Sequence, residues 1–248
     1  GEAFLQGLQA DVLIEAGPSD FKTGGMGLVY MRHALHAGMH VIAVSKGALA
    51  LHGQELLQAA KTHGVQVWVS GATAAALPTV DFVQRQLAGC EVLAIEGIFT
   101  GTANFILNQM MHEGMGFDAA LRQAQEAGIA EADSRFDTEG WDTAAKITII
   151  ANTLFGTALN VNHLPRQGIT DLQTADMAAW QEQGLMPRLI GYVRCEQGQV
   201  RAGVEVRALD PQDVFYHVQG KNKAMRVVTA EMGELCVQGG ASSPQATA

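Results

Sequence analysis

The sequence predicts an α/β protein, with a parallel sheet and helical crossovers followed by an α+β unit that has an open mixed sheet. The first 78 residues alternate short apolar runs with helical patterns, an order typical of parallel strands joined by helices. From Pro78 onward the pattern changes, because longer helical stretches are followed by several strand-like segments. We therefore expect two parts of different architecture.

In the first part, the strand candidates are apolar on both faces, which indicates a sheet covered by helices. Strands are expected at residues 12–14, 41–44 and 65–69, and helices at residues 26–36 and 54–61. A dinucleotide-binding sheet normally opens with a Gly-x-Gly-x-x-Gly turn. With Gly25 and Gly27 as the first two glycines of such a turn, the third would fall on Tyr30, so this segment predicts a helix start instead.

In the second part, helical patterns come first and strand patterns follow. Helices are expected at residues 80–87, 103–112, 118–127 and 138–154, and strands at residues 92–98, 189–194, 199–206, 225–229 and 235–237. Long helices beside an open sheet are typical of a unit that binds substrate and forms dimers.

Composition limits the class of function. The chain has 248 residues, of which 48% are hydrophobic and 17% charged, so a large buried core is expected. The net charge of −9 argues against partners such as nucleic acid or an anionic membrane. Apolar runs stay well short of the roughly 20 residues that span a bilayer. The three cysteines are far apart and odd in number, which predicts reduced thiols in a cytoplasmic protein.

Residues 128–146 carry the densest chemistry. Glu131, Asp133 and Asp137 crowd into a short connection, and Asp142 and Lys146 follow at a spacing that places both on one helical face. Carboxylates and an ammonium gathered in this way suit the binding of a small zwitterion and the transfer of a proton. The alternative is an ordinary solvated ion pair between Asp142 and Lys146.

Four segments, in order, resemble the homoserine dehydrogenase family. They are Asp-Val-Leu-Ile-Glu-Ala-Gly-Pro at 11–18, Ser-Lys-Gly-x-Leu-Ala at 45–50, Ile-Glu-Gly-Ile-x-x-Gly-Thr-x-Asn-x-Ile at 95–106, and Glu-Ala-Asp followed by Asp-x-Glu-Gly-Trp-Asp-x-Ala-x-Lys at 131–146. The resemblance implies a partial Rossmann-type NAD(P)-binding domain at residues 1–78, a catalytic and dimerisation domain at 79–238, and a return segment at 239–248. It also implies that the chain begins within the nucleotide domain and stops before the family's last helix.

The resemblance implies NAD(P)H-dependent reduction of L-aspartate 4-semialdehyde to L-homoserine, a step in threonine and methionine synthesis. Lys146 matches the family's proton donor, and Lys46 matches a lysine that contacts cofactor near the reacting centre. Glu131 and Asp142 match residues that hold the substrate's ammonium and hydroxyl groups. The family usually has Asn at the position of Ser45.

Further matches have structural alternatives. Asp137 matches a supporting carboxylate of the substrate site, although it could cap the following helix. Thr102 matches a substrate contact and could equally be a helix cap. Gly17 and Gly128 match cofactor-contacting positions and could be simple turn glycines. Ser243 also falls at a cofactor-contacting position.

The resemblance also implies a monovalent cation bound by backbone carbonyls. The corresponding positions are Ser70, Thr73, Ala75 and Leu77. Alanines replace the family's glycines here, so any position that needs positive φ would be strained.

Two rival interpretations stay open. The chain could belong to a related oxidoreductase that acts on another small aldehyde or hydroxy acid. It could also be a catalytically silent ligand-binding or assembly fragment. The resemblance favours a homodimer or higher homo-oligomer with a small, amino-acid-like substrate, and it leaves the choice between NAD and NADP open.

Overall fold

A computed structural model describes residues 10–74 and 76–240, which form two compact units. The first unit contains the described residues as far as Ala88, together with Ala145–Leu164. The second contains Gly89–Ala144 and the described residues from Pro165 onward. The α/β class is confirmed. The boundaries expected at residues 78 and 239 stay predictions.

The first unit has a parallel three-stranded sheet in the order β1-β2-β3. A helix joins each strand to the next, which is what parallel pairing requires. Buried apolar side chains of the helices, such as Met31, Leu35 and Leu56, belong to its core. The elements are β1 (Val12–Glu15), α1 (Gly25–His36), β2 (His40–Ala43), α2 (Gly47–His63), β3 (Val67–Trp68), α3 (Ser70–Thr73), a π-helix (Phe82–Gln86) and a 3₁₀ helix (Val161–His163).

Helix α2 begins well before residue 54, where the sequence predicts it. A Cβ at Gly47 would lie 2.4 Å from the carbonyl oxygen of Asp20, so only glycine fits this close approach of two backbones. The helix is also kinked at His52, where φ is −129°. The glycines and the kink interrupt the apolar periodicity, which explains the late predicted start.

The second unit has a five-stranded sheet in the order β6-β5-β4-β7-β8. Every ladder in this sheet is antiparallel, so the expectation of a mixed sheet is wrong. The parallel pairing recorded for this unit is an isolated bridge between Arg166 and Val204. The elements are β4 (Val92–Ile98), α4 (Gly101–Glu113), α5 (Phe117–Glu126), α6 (Arg135–Thr138), α7 (Trp141–Leu154), α8 (Thr174–Glu182), β5 (Met186–Glu196), β6 (Gln199–Leu209), a 3₁₀ helix (Val214–His217), β7 (Lys223–Thr229) and β8 (Gly233–Gly239).

Two features of the helices differ from expectation. The helix expected at 138–154 is interrupted at Gly140, whose φ of +81° ends α6 before α7 begins. Helix α7 starts in the second unit and continues in the first from Ala145.

None of the helices in the described part of the chain is long and apolar enough to cross a membrane.

Candidate active site

The carboxyl end of central strand β4 leads directly into helix α4 of the second unit. Thr100 lies between them, and its hydroxyl donates to Oδ2 of Asp142 at 2.9 Å and lies 2.9 Å from Oγ1 of Thr143. Asp142 is buried, with 7% of its surface exposed. The hydrogen bond from Thr100 therefore helps to fix the orientation of a buried carboxylate. The sequence analysis missed Thr100, although it lies inside a segment of family resemblance.

Thr102 and Gly128, both predicted as site residues, line one small cavity of about 120 Å³ with Gly101, Ile129 and Lys221. The hydroxyl of Thr102 donates to the carbonyl of Ile129 at 3.2 Å. Gly128 has a φ of +65°, which is typical of glycine in a turn. The sequence analysis did not identify Lys221, which no local motif marks.

Glu131 lies on the wall of a different, open cavity of about 470 Å³ in the second unit. Asp133, another wall residue, is held by Arg135 through hydrogen bonds of 2.6 and 2.8 Å. The guanidinium of Arg135 lowers the pKa of Asp133 to about 2. Asp133 is therefore committed to a local ion pair, while Glu131 is exposed.

Lys146 is buried on α7, one helical turn beyond Asp142, with 8% of its surface exposed. The alternative of a solvated surface ion pair is therefore wrong, because neither Asp142 nor Lys146 is exposed to solvent to that extent. Asp137 lies inside α6, so it does not cap α7, which begins at Trp141. The substrate roles of these residues stay predictions.

In the first unit, the carboxyl ends of β1 and β2 are neighbours. Glu15, at the end of β1, is 5% exposed and accepts hydrogen bonds from the Gly17 N–H at 2.9 Å and from the Ser45 hydroxyl. Ser45 therefore anchors the loop to a buried carboxylate. The Lys46 N–H donates to Oγ of Ser19 at 2.9 Å, and Lys46 immediately precedes α2.

A cleft of about 720 Å³ extends from Glu15 and Gly17 along the start of α1. Glycines keep it open, since a Cβ at Gly17 or Gly27 would lie within 3.1 Å of the Glu15 carboxylate. Asp20, on its wall, accepts N–H groups of Lys22 and Thr23, and these hydrogen bonds lower its pKa. The cleft is large enough for part of a dinucleotide.

Among the proposed cation ligands, the carbonyl of Ser70 accepts a hydrogen bond from the hydroxyl of Thr73 at 2.9 Å, and that hydroxyl lies 2.5 Å from the hydroxyl of Thr79. One lone pair of the Ser70 carbonyl is therefore already used within the segment. Ala75 and Ser243 lie outside the described residues, and the roles expected for all these positions stay predictions.

Two family models match successive parts of the chain. Residues 2–70, all within the first unit, match the model of the homoserine dehydrogenase NAD-binding domain, which is a class of dinucleotide-binding domain. Residues 78–248 match the model of homoserine dehydrogenase itself, and this match includes the Ala145–Leu164 segment of the first unit. The chain belongs to the homoserine dehydrogenase family.

Curated relatives support the same assignment. A homoserine dehydrogenase of Methanocaldococcus jannaschii is 36% identical over 190 residues, which are 77% of this chain and 56% of the relative. The NAD(+)-dependent homoserine dehydrogenase of Pseudomonas canavaninivorans is 33% identical over 96% of this chain and 68% of its own. The chain thus spans little more than half the length of the first of these relatives.

Solved structures show the same fold. A homoserine dehydrogenase from Thiobacillus denitrificans superposes with a TM-score of 0.88 at 28% identity, over 96% of this chain and 54% of its own. The S. aureus homoserine dehydrogenase gives a TM-score of 0.83 at 28% identity, over 99% of this chain and 58% of its own.

Proposed function

We propose that this protein catalyses the reversible reduction of L-aspartate 4-semialdehyde to L-homoserine, with NADH or NADPH as the reductant. The observation that carries the proposal is the buried pair of functional groups on α7. Asp142 is fixed by Thr100, and Lys146 follows one turn later, with each side chain less than a tenth exposed. Family membership supports the proposal that substrate binds, and a proton is transferred, at this pair of side chains.

Lys146 is the proposed proton donor. When an aldehyde is reduced, negative charge builds on its oxygen, and a nearby ammonium group stabilises that charge and supplies the proton. Asp142 would bind the hydroxyl group of homoserine, and Glu131 would bind its ammonium group. Asp137 is proposed as a supporting carboxylate and Thr102 as a further substrate contact.

A nicotinamide cofactor would supply the hydride. The glycine-lined cleft beside Glu15 fits such a group, because Gly17 leaves its wall without a side chain. Lys46 follows β2 at the carboxyl end of the sheet, where open α/β sheets bind their ligands. Gly17, Lys46 and Gly128 are therefore the proposed cofactor contacts among the described residues.

The test is an assay of NADH or NADPH oxidation in the presence of aspartate 4-semialdehyde, carried out on the wild type and on Lys146→Met. Methionine keeps most of the buried aliphatic stem and removes the ammonium. We expect kcat to fall by about 100-fold or more, since a positioned general acid contributes about that much. The KM for the cofactor should change little.

Lys61→Met is the matched control, because Lys61 is an exposed lysine in the last turn of α2. It should retain full activity, and circular dichroism should show that both variants are folded. Normal turnover by folded Lys146→Met would refute the assignment of the proton donor. Wild-type turnover of a different short aldehyde in place of aspartate 4-semialdehyde would favour the related oxidoreductase. Binding of homoserine without any turnover would favour the silent fragment.

The proposed assembly is a homodimer or a higher homo-oligomer. The proposed location is the cytoplasm, because Cys90, Cys195 and Cys236 are all free thiols.

A further inference from the structure

Lys221 lies in the turn between the second 3₁₀ helix and β7, far from α4 in sequence. Strands β4 and β7 are antiparallel, and Ile98 pairs with Ala224. If this register is continued beyond the strand ends, Gly101 comes opposite Lys221. The contact is close, since a Cβ at Gly101 would lie 2.7 Å from the carbonyl oxygen of Lys221 and 3.3 Å from its Cβ.

A buried asparagine holds this turn in place. Asn104 is 1% exposed, and its Nδ2 donates to the carbonyls of Gly220 at 2.9 Å and Val218 at 3.2 Å. Asn108 in turn donates to the carbonyl of Asn104 at 2.7 Å and accepts from Arg188 at 3.3 Å. The position of residue 221 is therefore set by backbone contacts and by a buried network.

This arrangement brings Lys221 to the 120 Å³ cavity shared with Thr102 and Gly128. The other lining residues, Gly101, Thr102, Gly128 and Ile129, have uncharged side chains, so Lys221 gives the cavity wall its positive charge. The cavity has room for a small anionic group such as a carboxylate.

We propose that Lys221 determines specificity by binding the α-carboxylate of the amino-acid substrate, beside the hydroxyl of Thr102. This rests on the proposed function, in which Glu131 and Asp142 bind the substrate's ammonium and hydroxyl groups. Those two carboxylates repel a third, so the substrate carboxylate needs a cation elsewhere. Lys221 meets this need within the second unit.

The test compares the wild type with Lys221→Met and Lys221→Arg, with Lys61→Met as the matched control. Lys221 is exposed, so its contribution to homoserine binding should lie between that of a surface ion pair and that of a desolvated ion pair. We expect Lys221→Met to raise the KM for homoserine roughly three- to tenfold and to leave kcat nearly unchanged. Lys221→Arg should stay close to the wild type.

Two readouts separate this role from a purely structural one. The KM of the wild type should rise with ionic strength, and that dependence should weaken in Lys221→Met, because salt screens an exposed charge pair. The preference for homoserine over 3-amino-1-propanol, which lacks the carboxylate, should shrink by the same factor as the KM rises.

An unchanged KM in folded, active Lys221→Met overturns the proposal. A higher KM for the cofactor, with normal homoserine kinetics, also overturns it and assigns Lys221 to a cofactor phosphate. If the wild type has no dehydrogenase activity, the proposed function fails and calorimetric titration with homoserine decides about Lys221. Equal affinity of wild type and variant would then reject it, and weaker binding by the variant would support it.

Discussion

The ion cluster around Glu96 allows a stability effect to be worked out from the structure. Glu96 lies on β4 with its side chain 6% exposed. It accepts from Arg194 at 2.6 Å, from Arg226 at 2.8 Å and from Arg207 at 3.0 Å. The substitution Glu96→Gln keeps the shape of the side chain and removes the charge that these three guanidinium groups share.

Burial by itself would raise the pKa of Glu96, but the hydrogen bonds from Arg226, Arg207 and Arg194 outweigh it and lower the pKa from 4.5 to about 2. A difference of that size is equivalent to about 3 kcal/mol of stability. Because the folded pKa is the lower one, this stability is present above pH 4.5 and is lost as the pH falls towards 2. After removal of the Glu96 charge, Arg207 still pairs with Glu205 and Arg226 with Asp213, so the loss is that of the shared central carboxylate.

We therefore expect Glu96→Gln to lower the free energy of unfolding at neutral pH by about 3 kcal/mol, measured by urea unfolding. The difference from the wild type should shrink as the pH is lowered below 4.5. Glu55→Gln is the matched control, because Glu55 accepts from Arg32 at 2.5 and 2.7 Å but has a side chain that is 48% exposed. The control should lose no more than about 1 kcal/mol. Equal losses in the two variants would refute the argument that burial gives the Glu96 cluster its strength.

Two further substitutions test packing. Gly47→Ala would place a Cβ 2.4 Å from the Asp20 carbonyl oxygen and should lower the melting temperature strongly. Gly116→Ala is the control and should be nearly neutral, because no atom lies within 4 Å of the added Cβ. Equal melting temperatures of the two variants would contradict the close approach at Gly47. Arg188→Met should cost about 3 kcal/mol in urea unfolding, because it leaves the buried carbonyl of Phe215 and the part-buried carbonyl of Tyr216 without their donor. A loss below about 1 kcal/mol would show that other donors replace it.

Local sequence patterns predicted the fold where one element has one continuous pattern. Strand β4 occupies residues 92–98 as expected, because it begins with four consecutive apolar residues, Val92 to Ile95. Helix α8 was missed, since Thr174–Glu182 has little separation of polar and apolar faces. The segment expected as an α-helix at 80–87 contains a π-helix at Phe82–Gln86, a change in hydrogen bonding that residue propensity does not encode.

The candidate site was predictable to the extent that its residues lie in short motifs. Thr102, predicted as a substrate contact, and Gly128, predicted as a cofactor contact, line the same cavity, and both roles stay predictions. Lys221 could not be found in this way, because it reaches Thr102 through the register of β4 and β7 and not through spacing along the chain. The burial of Lys146 was likewise a property of tertiary packing, and the Asp142–Lys146 spacing alone left it open.

Asn104 stabilises the backbone of the turn that carries Lys221 without contacting the Lys221 side chain in any of its hydrogen bonds described above. Asn104 binds main-chain carbonyls, which every amino acid possesses, so the path of the turn is independent of the side chain at position 221. That side chain can therefore be exchanged without rebuilding the turn that presents it. If Lys221 binds the substrate carboxylate as proposed, a single substitution at position 221 should change the substrate charge that the site prefers, while the turn keeps its backbone path.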